Sequence, residues 1–152
     1  MPINVHDIMT TPVYSIAMDD SLESIQHAFD SKKFHHVMVA GDDGECVGVI
    51  SDRDLLKNLS PFLGKFSERS ADAACLKRRA HQIMTRSLVS ARPNTALRAA
   101  VHVMLEGRIS CMPVVDANKK CVGIITLRDV VRWAMSEMEQ GTQTPRSLPK
   151  AA

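Results

Sequence analysis

Apolar and polar positions alternate in a regular order through the first half of the chain. Residues 13–16 predict a short extended segment, and residues 22–29 place apolar side chains at helical spacing, which predicts an amphipathic helix. Two further apolar runs, residues 36–40 and 46–50, are separated by the turn-rich residues 41–45 and predict a β-hairpin. The predicted order of elements is therefore strand, helix, strand, strand.

The second half of the chain repeats this order. Residues 88–91 predict an extended segment, and residues 97–104 predict an amphipathic helix. Residues 111–115 and 121–125 predict a second hairpin.

A final helix is predicted directly after each hairpin. Ser51 and Thr126 follow the last apolar run of their half. A hydroxyl side chain at this point is a good N-cap, because it accepts a hydrogen bond from a free backbone N–H. Each half is thus predicted to be a β-α-β-β-α unit.

The two halves align on each other without a gap, with residues 5–59 over residues 80–134, which indicates an internal duplication. One unit alone is too small to bury a convincing core. The predicted fold class is therefore α/β, with two β-α-β-β-α repeats packed with pseudo-two-fold symmetry. Identical pairs include His6/His81, Ile8/Ile83, Met9/Met84, Thr10/Thr85, Ser15/Ser90, Cys46/Cys121, Gly48/Gly123, Arg53/Arg128 and Asp54/Asp129.

The predicted domain organisation has four parts. Repeat 1 covers residues 3–60, a linker covers residues 61–79, and repeat 2 covers residues 80–138. Residues 139–152 are polar and contain proline, and we expect them to form a disordered tail.

Composition and charge narrow the class of protein. A hydrophobic fraction of 45% and a charged fraction of 24% are typical of a globular protein, and a net charge of +2 favours neither nucleic acid nor a membrane surface. There is no apolar run long enough to span a bilayer and no secretory-signal pattern. The four cysteines form no C-x-x-C motif. We therefore expect a cytoplasmic protein with reduced thiols, without membrane insertion or a nucleic-acid partner.

The phrase 46-CVGVISDRD-54 returns as 121-CVGIITLRD-129 and carries the candidate chemistry. A hydroxyl at a helix start lies beside free N–H groups that suit a phosphate oxygen, and the arginine adds a positive fork. The aspartate, one helical turn on, can accept from a ribose diol, and the glycine allows another group to approach closely. Two interpretations stay open: a nucleoside-phosphate site, or hydroxyl N-caps with aspartates that favour the helix dipole.

These features resemble a tandem cystathionine-β-synthase (CBS) domain pair, also called a Bateman module. Each unit opens on I-M-T and closes on G-h-h-[S/T]-x-x-D, where h is apolar, and the resemblance covers about residues 3–138. It implies a regulatory module, not an enzyme, that binds adenosyl compounds in two clefts between the repeats and signals to a partner. AMP, ADP or ATP is the expected ligand; S-adenosylmethionine and NAD are bound in some members.

The resemblance also assigns residues to each cleft. The aspartates would hold the ribose hydroxyls, and the arginines would lie near phosphate. Because Met38 stands where repeat 2 has Pro113, we expect it to narrow the second cleft. The first cleft would contain Ser51, Arg53 and Asp54 facing Thr85, Ser90, Ile109 and Ser110, and the second would contain Thr126, Arg128 and Asp129 facing Thr10, Ser15, Phe34 and His35.

Three alternatives stand beside this interpretation. A catalyst is disfavoured because no nucleophile and base lie at a recognisable spacing. A metal site is suggested by the adjacent His35 and His36, but no histidine or cysteine spacing resembles that of common metal sites. The third alternative is an interaction module whose clefts are empty.

A homodimer is expected from the last helix of each repeat. An apolar stripe longer than one flank of a small module needs to cover usually marks an interface. The stripe comprises Val130, Val131, Ala134, Met135 and Met138 in repeat 2, and is matched in part by Leu55, Leu56 and Leu59 in repeat 1.

Overall fold

The computed structural model of the protein describes residues 2–86 and 89–141. Repeat 1 opens with a single 3-10 turn, Val5–Asp7.

Repeat 1 contains the five predicted elements in the predicted order. They are β1 (Ser15–Ala17), α1 (Leu22–Lys32), β2 (His36–Ala40), β3 (Cys46–Ser51) and α2 (Asp52–Asn58). Strand β1 runs parallel to β2, and β2 pairs antiparallel with β3 in the expected hairpin. The first strand lies slightly later than residues 13–16, because only Ile16 of β1 is buried and anchors it.

The linker contains the short helix α3 (Ser70–Ala74) and the 3-10 turn Cys75–Lys77, and repeat 2 opens with the short helix α4 (Ala80–Ile83). Backbone hydrogen bonds hold this segment against repeat 1: Ala80 N donates to Asp20 O over 2.8 Å, and Leu22 N donates to Arg78 O over 2.9 Å.

Repeat 2 contains α5 (Leu97–Glu106), β4 (Cys111–Val115), β5 (Cys121–Thr126) and α6 (Leu127–Gln140). Strands β4 and β5 form the second antiparallel hairpin.

The counterpart of β1 in repeat 2 is reduced to one bridge. Within the described residues 89–91, Ala91 pairs parallel with Val114, donating to Pro113 O over 2.9 Å and accepting from Val115 N over 2.9 Å. Leu88, which the sequence placed in this strand, lies outside the described residues.

Helix α6 is longer than expected. It includes residues 139 and 140, which the sequence placed in a disordered tail, and its last turn is closed by Gly141 N donating to Glu137 O over 2.9 Å. The rest of that predicted tail, residues 142–152, lies outside the described residues.

Each repeat has its own apolar core, and each core is completed by the leading segment of the other repeat. Val5 is fully buried in the core of repeat 2, whereas Ala80 and Met84 are buried in the core of repeat 1. The backbone crosses in the same way: Thr10 exchanges hydrogen bonds of 2.8 and 3.1 Å with Ile124, and Thr85 exchanges bonds of 2.9 and 3.1 Å with Val49. This exchange ties the two repeats into one unit.

None of the helices in the described ranges combines the length and apolar character needed to cross a bilayer.

Candidate functional site

The two recurring hydroxyl residues begin helices α2 and α6 as N-caps. Ser51 Oγ accepts from Asp54 N over 3.1 Å, and Thr126 Oγ1 accepts from Asp129 N over 3.2 Å. The aspartates reciprocate through Oδ2, which accepts from the backbone N–H of Ser51 at 2.9 Å and of Thr126 at 2.8 Å. The N-cap prediction is confirmed, and each aspartate has its other oxygen free of the capping box.

The remaining oxygen distinguishes the two aspartates. Asp129 Oδ1 accepts from Thr10 Oγ1 over 3.2 Å and lies 3.5 Å from Arg132 Nη1. Thr10 belongs to the leading segment of repeat 1, so this hydrogen bond joins the two repeats. Asp129 is only 7% exposed, whereas Asp54 is half-buried and has no corresponding hydrogen bond to Thr85.

A cavity of about 460 Å³, here the Thr126 cavity, opens between the repeats at the start of α6. It brings together six of the seven residues assigned to the second cleft, all except Ser15. Its walls are formed by Thr10, Lys33, Phe34, His35, His36, Ser110, Ile124, Thr126, Leu127, Arg128, Asp129 and Arg132.

Positive charge dominates this cavity. Lys33, Arg128 and Arg132 line it against a single carboxylate, that of Asp129. The start of α6 adds positive potential through the helix dipole, which favours an anion at a helix N-terminus. The arrangement is chemically suited to an anionic ligand that also presents hydroxyl groups.

A smaller cavity of about 230 Å³, here the Ser51 cavity, lies at the equivalent place in front of α2. It brings together five of the seven residues assigned to the first cleft; Arg53 and Ser90 do not line it. Its walls are formed by His36, Val49, Ser51, Asp54, Thr85, Val89, Arg108, Ile109, Ser110, Cys111 and Pro113. His36 and Ser110 line both cavities, so the two sites are neighbours.

Three assigned residues, Ser15, Arg53 and Ser90, line neither cavity and are exposed. In β1 only Ile16 points into the core, and strand alternation turns its neighbour Ser15 outward.

Sequence reasoning missed three basic residues at the cavities. Lys33 and Arg108 occupy aligned positions, one residue after the end of α1 and two residues after the end of α5, and both adopt positive φ, 49° and 51°. A basic pair at one aligned position was a readable signal in the sequence. Arg132, three residues after Asp129 on the same helix, was a second, because residues at that spacing lie side by side.

Met38 does not narrow the second cleft, contrary to the expectation from the sequence. Its side chain is 1% exposed and turned into the interior, where its Sδ lies 4.0 Å from Cys46 Sγ. The Thr126 cavity is the larger of the two, and Met38 is not part of its wall.

Phe34 is held at the edge of the Thr126 cavity by two other aromatic rings. It stacks on Tyr14 with centroids 5.2 Å apart and meets Phe29 edge-on at 5.3 Å. The packing fixes an aromatic surface beside the charged groups, where a flat base can lie.

Next to it, His35 Nδ1 lies 2.8 Å from Asp52 Oδ2. This hydrogen bond is the main reason that the pKa of Asp52 is lowered from its ordinary value. It also fixes the orientation of the imidazole, so the other ring nitrogen, Nε2, is left for a ligand.

His36 behaves differently. Its pKa is lowered, mainly because burial disfavours the imidazolium; Asp52 opposes that shift and His35 adds to it. A ligand anion in either cavity would reverse this effect.

Within residues 2–86 and 89–141, no three histidine, cysteine, aspartate or glutamate side chains are grouped so as to hold a metal ion.

Comparison with known proteins identifies a family whose sequence model matches both repeats. The sequence model described as "CBS domain" matches residues 5–61 and again residues 80–136. An uncharacterized protein of Methanocaldococcus jannaschii is 26% identical, over 84% of this chain and 88% of the relative. A homoserine O-acetyltransferase of Methanohalobium evestigatum is 25% identical over 84% of this chain, but the match spans only 23% of that enzyme.

Solved structures of similar fold contain adenosyl ligands. The CBS domain pair of protein MJ0100, in complex with 5'-methylthioadenosine and S-adenosyl-L-methionine, is 25% identical with a TM-score of 0.70, and the match covers 87% of this chain and 99% of that one. CBSX2 of Arabidopsis thaliana, in complex with AMP, is 29% identical with a TM-score of 0.72, covering 88% and 97%.

Proposed function

Because the chain belongs to the CBS domain family, with one domain at residues 5–61 and a second at residues 80–136, we propose that it is a regulatory module that senses adenine nucleotides between its repeats. The observation that carries the proposal is the Thr126 cavity, which combines a ribose acceptor, Asp129, with three cationic side chains and a helix N-terminus. The complexes of MJ0100 and CBSX2 with adenosyl ligands support it.

In the proposed complex, the ribose hydroxyls donate to Asp129 Oδ1, the oxygen not used by the capping box. The ligand replaces the weak 3.5 Å contact with Arg132, which turns to the phosphates. The base packs on the apolar side of the cavity, beside Phe34 and Ile124.

The two cavities are proposed to differ in the number of phosphates they hold. Lys33, Arg128 and Arg132 in the Thr126 cavity suit a di- or triphosphate. The Ser51 cavity has half the volume, and Arg108 is its one arginine or lysine, so it suits AMP or an uncharged adenosyl group.

The proposed output is a signal to another protein, and the proposed location is the cytoplasm, where adenine nucleotides are abundant. The enzymes among its relatives have most of their length outside the matched region, as the acetyltransferase illustrates, so we propose no catalytic role for this chain. An interaction module with empty clefts is the second candidate, favoured by the exposed apolar residues of α6.

Adenine nucleotides are expected to raise the thermal midpoint of the protein. A ligand that binds only the folded protein, at a hundredfold excess over its Kd, adds about 2.7 kcal/mol to the free energy of unfolding. For a chain of this size, that gain corresponds to a rise in the thermal midpoint of about 5–10 °C. The measurement is a thermal-shift panel of AMP, ADP, ATP, S-adenosylmethionine and NAD. GTP and inorganic triphosphate are matched controls, since they carry the phosphates without adenine. A flat panel would favour the empty interaction module.

Nucleotide affinity is expected to rise as pH falls from about 8 to about 6. Because its pKa is lowered from the ordinary value of 6.5, His36 is held neutral in the ligand-free fold. The stability that the neutral form contributes is present above pH 6.5 and is lost as the pH falls. A bound phosphate favours the imidazolium, so binding takes up a proton. Calorimetric titration across this range, in wild type, His35→Gln and His36→Gln, tests it.

The two histidine variants should show a flatter dependence of affinity on pH than the wild type. A chelator in parallel titrations separates the metal alternative. Metal binding requires neutral imidazole, so affinity that falls at low pH and disappears with chelator would contradict the phosphate role.

We also propose a homodimer through α6. Val131, Met135 and Met138 form an exposed stripe along it, with exposed fractions of 61%, 52% and 69%. Repeat 1 contributes less than the sequence suggested, because Leu55 is buried in the core and only Leu56 is fully exposed.

The Met135→Lys substitution is expected to give a monomer at tens of micromolar, because an unpaired charge in an apolar interface is strongly disfavoured. Phe66→Lys, on an exposed side chain of the linker, is the matched control and should leave the dimer intact. Light scattering measures both, and a monomeric wild type would refute the dimer.

A further inference from the structure

The two repeats touch along the edges of their hairpins, away from both cavities. Glu45 and Lys120 form an antiparallel bridge, and Cys46 N donates to Lys119 O over 2.9 Å. Cys46 and Cys121 begin β3 and β5 at aligned positions, and each directly follows one residue of this bridge. Their side chains therefore lie on the same face of the contact as diagonal neighbours, close enough for each thiol to shift the pKa of the other.

The surroundings of this pair suit thiol chemistry. Both cysteines are half-buried, so each retains a path to solvent. Cys121 Sγ lies 3.2 Å from Gly123 O, and Cys46 Sγ lies 3.9 Å from Gly48 O. Neither residue lines the Thr126 or the Ser51 cavity, so nothing in the proposed nucleotide sites accounts for two matched, neighbouring thiols.

The two thiols are not equivalent. Interaction with Cys46 lowers the pKa of Cys121, whereas interaction with Cys121 and burial raise the pKa of Cys46. Thiolate is the reactive form, so Cys121 is the better nucleophile and reacts first, and Cys46 reacts second. A third thiol, Cys111, lies near, but burial raises its pKa to about 12, which keeps it protonated and unreactive.

We propose that Cys46 and Cys121 are a redox modification site that forms a reversible disulfide between the two repeats. The oxidant is a small disulfide such as oxidised glutathione. The Cys121 thiolate attacks one of its sulfurs, forming a mixed disulfide and releasing one glutathione thiolate. Once Cys121 is part of the mixed disulfide, it no longer raises the pKa of Cys46, so Cys46 gives its proton to the released glutathione thiolate or to solvent. Cys46 then attacks the Cys121 sulfur and releases the second glutathione thiolate. One disulfide is reduced to two thiols as the two protein thiols are oxidised.

Such a bond would act on both cavities through the strands that carry them. Strand β3 runs from Cys46 to Ser51, and β5 runs from Cys121 to Thr126. Each modified cysteine thus begins the strand that ends at a cavity hydroxyl. A bond between the starts of the two strands restrains the two hairpins. It also stabilises the fold, because it reduces the number of conformations open to the unfolded chain.

Tryptic mapping tests the proposal directly, because each cysteine falls in its own peptide. Cys46 lies in peptide 34–53, Cys121 in 121–128, Cys111 in 109–119 and Cys75 in 70–77. After oxidised glutathione and alkylation of free thiols, we expect peptides 34–53 and 121–128 to be joined. Dithiothreitol should separate them. The oxidised protein should migrate faster on a non-reducing gel and melt several degrees higher.

Single variants provide the controls. Cys46→Ser and Cys121→Ser should each abolish the joined peptides and the gain in melting temperature. Cys111→Ser and Cys75→Ser should leave both unchanged. Glutathione adducts without a joined pair, a bond that includes Cys111 or Cys75, or bonds only between molecules would overturn the proposal. These outcomes do not depend on nucleotide binding, so they are distinguishable from failure of the proposed function.

Discussion

Replacing Asp129 with alanine is expected to lower the free energy of unfolding by about 2–3 kcal/mol. The carboxylate is 7% exposed, caps α6 through Thr126 and accepts from Thr10, so its removal opens a helix start and a link between the repeats. The same change removes the proposed ribose acceptor, which should weaken nucleotide binding about ten- to a hundredfold. Urea unfolding measures the first effect, and calorimetric titration well below the melting temperature measures the second.

Asp54→Ala is the matched control that the duplication provides. Asp54 caps α2 in the same way but is more exposed and lacks the link to the other repeat, so its loss should cost only about 1 kcal/mol. Binding at the Thr126 cavity should survive in Asp54→Ala. Equal losses of stability in the two variants would contradict the structural asymmetry, and wild-type binding in both would refute the ribose assignment.

The fold was largely predictable because its signals are local and are written twice. Helical and strand periodicity gave the elements, and hydroxyl N-caps gave the starts of α2 and α6. The exchange of leading segments was not predictable in this way. Val5 is as apolar as its position requires, but no local pattern says that it packs in repeat 2. That choice depends on contacts between residues far apart in the chain.

The candidate site was predictable where one short phrase defines it. Ser51, Asp54, Thr126 and Asp129 follow from spacing on a helix start, and the structure places all four on cavity walls. The facing residues depend on how the repeats meet. Lys33 was missed because its alignment with Arg108, although readable in the sequence, gains its meaning only when both residues are seen to line cavities between the repeats.

The Gly48→Val substitution is expected to lower the free energy of unfolding by about 3 kcal/mol, through overpacking. The sequence predicted that another group approaches this glycine closely, and that group is the Met84 side chain, which belongs to repeat 2. A Cβ at Gly48 would lie 2.9 Å from Met84 Cγ and closer still to its sulfur, well inside van der Waals contact. Met84 is 8% exposed and part of the repeat 1 core, so it has little room to move. Urea unfolding measures the loss.

The duplication provides a second pair with which to show that the contact is specific. Gly123 packs against Met9 in the same way, with a built Cβ 3.2 Å from Met9 Cγ. Met84→Ala should make room for valine at position 48, so the double variant should be more stable than the sum of the two single losses implies. The same Met84→Ala change should add its full loss to Gly123→Val, because that valine meets Met9 instead. If Met84→Ala rescued both glycine variants, or neither of them, the clash of valine at position 48 with the Met84 side chain would not be the cause of the lost stability.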